Sequence, residues 1–160
     1  MPELAPWVQI ASVLGAVVAL IGLFKGLIEY LRQTTLKRAE HFSQLRGRLK
    51  QNETFKVICD LLDRGDARLS EVTFKEKRDC LGLFEEVALA LNSKLIRENV
   101  AFYMFGYYAI RCWEDENFWK DVNRESYYWN LFRDFAMRMQ ALERDILADP
   151  VQFDAKQYKF

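Results

Sequence analysis

Trp7-Val-Gln-Ile-Ala-Ser-Val-Leu-Gly-Ala-Val-Val-Ala-Leu-Ile-Gly-Leu-Phe24 is apolar all round a helix rather than along one stripe, and it decides how the chain is read. From Leu4 to Phe24 no residue is charged. At about 1.5 Å of rise per residue, a helix over that stretch reaches roughly 31 Å, enough to cross the hydrocarbon core of a bilayer. Pro2 and Pro6 suit the start of such a helix, and Trp7 falls where indoles prefer the membrane interface. The expectation is a transmembrane anchor over residues 1–32. One rival reading is a buried core helix, but soluble core helices seldom run this far without a charge. The other is a cleaved signal peptide, which would want bases at its beginning, a shorter apolar core and a small-residue cleavage site. Here Glu3 precedes the apolar run and the bases follow it.

Outward from the anchor the charge changes sign. Residues 1–24 hold one acid and no base, residues 25–50 hold seven bases and two acids, and the remaining 51–160 hold sixteen bases and twenty acids, for nets of −1, +5 and −4. Lys25, Arg32, Lys37, Arg38, Arg46, Arg48 and Lys50 all lie C-terminal to the span, so the positive-inside rule places residues 25–160 in the cytoplasm. Lys25, Arg32, Lys37 and Arg38 are close enough to the span to contact anionic headgroups, each worth about 1 kcal/mol near the surface. A purely topogenic role is the alternative. No second span is expected, because the later apolar windows, Cys80–Leu91 and Asn99–Ile110, are short or interrupted by Glu85 and Glu86.

The whole chain has 160 residues, a net charge of zero, 51% hydrophobic residues, 7 Gly, 3 Pro, 3 Cys and 1 His. That length holds one ordinary domain and an appendage. The charge balance argues against a nucleic-acid polymer as partner, and the few Gly and Pro argue against an all-β or a disordered chain. Cys59, Cys80 and Cys112 form no C-x-x-C pair and read as small buried hydrophobes.

Helical periodicity continues through Ile28, Leu31, Thr35, Phe42, Leu45 and Leu49, so the first helix is expected to run on as a basic stalk over 33–50. Asn52 is placed to cap a second helix from Glu53 to about Asp63, which Gly65 stops. Thr73-Phe-Lys-Glu76 has capping-box spacing and opens a third helix with Leu81, Phe84, Val87, Ala88 and Leu91 inward. A fourth is expected from about Arg97 to Trp113, and a last from Asn123 to Ala148 before Pro150. The fold class is therefore all-α, with an anchor (1–32), a stalk (33–50), a cytoplasmic bundle of about four helices (51–149) and a tail (150–160).

Thirteen of the 23 aromatics fall between Phe102 and Phe135. Tyr107, Tyr108, Trp113 and Trp119 are candidates for a partner surface, since Tyr and Trp favour half-wet sites; an aromatic core with exposed hydroxyls is the alternative. Arg111 follows twelve uncharged residues, so it is expected either to form a buried ion pair with Glu85 or Glu86 or to hold an anionic ligand. Glu114-Asp115-Glu116 reads as a solvated helix end, and His41 as a surface residue. No P-loop, dinucleotide fingerprint, zincin motif or nucleophile elbow is present, so no catalytic residue, metal site or cofactor is expected.

Phe55-Lys-Val-Ile-Cys-Asp-Leu-Leu-Asp63, Phe84-Glu-Glu-Val-Ala-Leu-Ala-Leu-Asn92 and Ala101-Phe-Tyr-Met-Phe-Gly-Tyr-Tyr-Ala-Ile-Arg-Cys-Trp-Glu114 resemble a group of small bacterial proteins of uncharacterised function that carry an N-terminal membrane helix. The resemblance spans most of 40–135 and implies a bacterial inner-membrane location, but no activity. Ala11, Gly15, Ala19, Gly22 and Gly26 step by three or four residues along one face of the anchor, which predicts helix self-association into a homo-oligomer. Two functions remain open. One is a non-enzymatic, membrane-tethered module that docks an unidentified protein partner; the other is a membrane effector gated by a small anionic ligand, such as a nucleotide, in bacterial defence or stress.

Overall fold

The computed structural model describes the backbone of residues 6–149 and the side chains of residues 13–33 and 36–149. The side chains of Trp7, Ala11 and Thr35, the residues before Pro6 and the tail from Pro150 lie outside the described residues. Among the described residues every regular element is helical, with no strand. In chain order these are α1 (Pro6–Gln51), α2 (Glu53–Arg64), α3 (Phe74–Asn92), α4 (Glu98–Ala101), α5 (Tyr107–Glu114), α6 (Glu116–Trp119) and α7 (Asn130–Ala148). Single turns of 3-10 helix occupy Ala67–Glu71 and Tyr127–Trp129, and a π-helical turn, Phe102–Gly106, joins α4 to α5.

The chain divides into two compact units, Met1–Ala39 and Glu40–Phe160. The first is the N-terminal part of α1. Its described apolar side chains are exposed, Leu14 by 61% and Leu23 by 68%. Among the described residues α1 is the one helix long and apolar enough to cross a membrane, over Val13–Gln51, and none of its apolar window is buried within the protein.

The second unit is the body, and it begins inside α1. Residues 33–50 are expected from the sequence to stand apart as a stalk, yet Phe42, Leu45 and Leu49 are buried, and Phe42 meets Phe105 edge to face at 5.9 Å. The last three turns of α1 are therefore core. Their seven-residue apolar spacing would suit a coiled coil equally well, and periodicity alone does not distinguish which surface covers a stripe.

Local signals explain the next two helices. Asn52 accepts the Thr54 and Phe55 amides (2.9 and 3.3 Å) to open α2, and Gly65 closes it at φ 59°, a left-handed conformation that glycine adopts without a Cβ penalty. Thr73 and Glu76 form both bonds of a capping box at the start of α3. Helix α3 is the inner one: Leu81, Leu83, Phe84 and Val87 are fully buried, and α7 packs along it with Phe84 5.7 Å from Phe132.

The later elements depart from the expected boundaries. The fourth helix, expected as one α-helix over 97–113, carries the π turn at Phe102–Gly106. A Cβ at Gly106 would lie 2.8 Å from Phe102 Cδ2, so a larger residue there would displace the Phe102 ring. The last helix starts at Asn130 and not at Asn123. The Asn123 side chain accepts the Glu125 amide (3.1 Å) and its carbonyl the Ser126 amide, a local turn that competes with helix propagation. Tyr128 consequently lies before α7 and is exposed, while α7 buries Phe132, Phe135, Ala136 and Met139.

Candidate functional site

The three charges expected to meet inside the bundle are held apart. Arg111 is exposed, and its guanidinium lies 5.4 Å from the centre of the Tyr107 ring one turn earlier. Glu86 instead takes Arg48 from the end of α1 as its ion-pair partner. Both groups are about half exposed, so the pair contributes little to stability. A free stalk over 33–50 would have kept Arg48 away from the bundle, which is why its sequence position does not suggest this partner. Glu85 is half-buried, and the Phe132 backbone acts on its carboxylate.

Phe132 lies in the first turn of α7, whose preceding residue Trp129 supplies no side-chain cap. Burial raises the Glu85 carboxyl above its ordinary value, and the Phe132 amide partly opposes this. The folded state therefore holds the proton more tightly than the unfolded chain. This contribution is fully present below the ordinary carboxylate value and is lost as pH rises through the raised one. At neutral pH the half-buried charge is therefore a net penalty in the folded state. Glu85→Gln removes that charge, so its thermal midpoint at neutral pH should equal or exceed the parent's; a lower midpoint would show that the charge stabilises the fold.

The four aromatics expected to form a partner surface separate into an inner and an outer pair. Trp119 is only 7% exposed, its indole N–H donates to the Cys112 carbonyl at 2.8 Å, and it packs against Trp113, Phe118 and Phe132. It is a core residue and not part of a docking face. Trp113 is half-buried and covered by Arg124, whose guanidinium lies 3.8 Å from the ring centre. Tyr108 is half-buried, with its hydroxyl donating to Asp63 at 3.1 Å. Burial, with the neighbouring Cys59 thiol and Asp63 carboxylate, pushes the Tyr108 phenol up to about 12. Tyr107 is 46% exposed and packs edge to face on Tyr108. With Tyr103 one turn before and Arg111 one turn after, it forms an outward face at four-residue steps. Tyr103 belongs with this face, and its four-residue spacing from Tyr107 is visible in the sequence.

One inner feature, the buried Lys77, also leaves no mark in the sequence. Lys77 is 2% exposed, and its ammonium donates to the Lys120 and Asn117 carbonyls (3.2 and 3.5 Å) beside the Phe118 ring. Burial pushes its pKa below the ordinary lysine value, with Asp121 opposing. Lys77 thereby holds the end of α6, a one-turn helix opened by Asp115, which accepts the Asn117 and Phe118 amides. The acidic run Glu114-Asp115-Glu116 is thus in part a helix cap. The cysteines, on α2, α3 and α5, are free and buried, and burial pushes the Cys59 thiol up to about 12. A thiol so weakly ionised is a poor nucleophile.

On α1, Gly15, Ala19, Gly22 and Gly26 are exposed, and a Cβ added at any of the three glycines would meet nothing within 4 Å. Lys25, Arg32 and Lys37 are exposed and Arg38 is half-buried. His41 is exposed. Comparison with known proteins brings no match: no family model, no curated protein and no solved structure aligns with the chain.

Proposed function

We propose that the chain is a non-enzymatic interaction module tethered to the bacterial inner membrane by a single N-terminal span, with residues 40–149 displayed in the cytoplasm to dock a protein partner. One observation carries this reading: the apolar window of α1 is long enough to cross a bilayer, and none of it is buried within the protein. In water that much contiguous apolar surface is untenable, and lipid is the solvent in which it is stable. The bases C-terminal to the window support the cytoplasmic placement. The small residues at Gly15, Ala19, Gly22 and Gly26 leave one face of the span open for a second copy, where close backbone approach supplies attraction that the hydrophobic effect cannot supply in lipid.

The docking face is the outward row Tyr103, Tyr107 and Arg111, residue types that interfaces favour. Two sets of inner titratable groups support a non-catalytic reading, because they are engaged in holding the fold: Lys77 on the carbonyls at the end of α6, and the cysteines in the core. Orientation is tested by fusions after Phe160. Alkaline phosphatase there is expected to be inactive and green fluorescent protein fluorescent; an active phosphatase would reverse the topology.

A further inference from the structure

A groove of about 450 Å³ lies between α2, the Ala67–Glu71 turn and the first turn of α3. Its apolar lining is Ile58, Leu61 and Val72, joined by Val57, which stays 54% exposed although it is aliphatic. Glu53, Glu71 and Glu76 stand around this lining against one base, Arg68. Arg68 is already committed to Asp66 at 2.7 Å, and that pairing holds the Asp66 carboxyl at about 2. Among the groove's acids, Glu76 is engaged in the α3 capping box and Glu53 bonds Lys56 at 2.7 Å, while Glu71 has no ion pair among the described residues. The groove therefore combines an apolar lining with a net negative rim.

An apolar pocket selects an apolar side chain, and a rim of one sign selects flanking charges of the other. We propose that this groove docks a segment of a partner protein in which an aliphatic or aromatic side chain is flanked by lysines or arginines. The proposal rests on the reading of the body as a docking module and gives it a second surface, formed by α2 and α3 and separate from the Tyr103, Tyr107 and Arg111 row on the π turn and α5. The acids set the charge of the partner, and Val57 with the half-buried Leu61 and Val72 supplies the apolar contact.

The test uses the full chain in phosphatidylcholine nanodiscs, whose zwitterionic surface does not attract a short basic peptide electrostatically. The probe is the fluorescein-labelled pentapeptide Lys-Leu-Lys-Phe-Lys, compared with Glu-Leu-Glu-Phe-Glu by fluorescence anisotropy. The basic peptide is expected to bind at least tenfold more tightly than the acidic one. Glu53→Gln/Glu71→Lys and, separately, Val57→Lys should each weaken it at least tenfold while melting like the parent. Equal binding of the two peptides, or unchanged affinity in both variants, would overturn the proposal. Tenfold tighter binding to a chain ending at Asp149 would also overturn it, making residues 150–160 the occupant. Loss of binding in Tyr107→Ser alone would remove the groove and leave the docking reading in place. Photo-crosslinking in cells from benzoylphenylalanine at positions 57 and 107 separates the two failures: adducts at 107 alone sink the groove, and adducts at neither sink the docking reading with it.

Discussion

Leu45→Ala should destabilise the body by about 2–5 kcal/mol, the range for truncating a large buried aliphatic side chain. Leu45 is 2% exposed and sits with Phe42 and Leu49 in the hydrophobic core, although all three belong to the same helix as the apolar span. Removing three carbons leaves a cavity between the end of α1 and its neighbours in the body, because a packed interior relaxes only in part. Denaturant unfolding followed by near-ultraviolet circular dichroism, which reads the packing of the aromatic cluster, is the measurement. A leucine on a free stalk would change stability by less than about 0.5 kcal/mol. Such a result would restore residues 33–50 to a separate element.

The other large effect lies in the span. Val17→Arg/Leu20→Arg places two guanidiniums near the middle of the exposed apolar helix. Each raises the free energy of insertion by about 2.5–3.5 kcal/mol at a helix centre. Together they should move most of the chain out of the carbonate-resistant membrane fraction. Lys25 and Arg32 are already charged and lie toward the end of the window, so replacing them with Gln should leave integration intact. Equal losses in both sets would mean that the helix is held at the membrane by surface charge rather than by crossing it.

How much of the molecule is legible in the sequence depends on the range of the forces that build each part. Helices α2 and α3 are readable to within a residue because Asn52, Gly65, Thr73 and Glu76 act on amides or carbonyls within a few positions of themselves. The single-helix character of the N-terminal segment is readable for the same reason, being a property of composition along one element. The choice of ion-pair partner is not. Arg48 and Glu86 are 38 positions apart, and their meeting depends on which surface covers Leu45 and Leu49. Arg111, expected among buried aromatics because its neighbours are apolar, emerges on the outer side of α5 and stacks on Tyr107. Residue type assigns Trp119 to the surface, whereas a carbonyl acceptor at Cys112 satisfies its one polar atom and lets it pack inside. The π turn leaves no signature that helical periodicity could register, since Gly106 alone marks it and a glycine in a helix has several explanations.

Those details place the side chains of the body, but its attachment to a membrane depends on where α1 resides. The most direct measurement is flotation of the full chain after alkaline carbonate extraction of membranes from expressing cells. The span predicts that the protein stays with the vesicles and rises with them through a density gradient, at all ionic strengths. Recovery in the carbonate supernatant would contradict it, leaving the exposed apolar face of α1 to be covered by protein rather than by lipid.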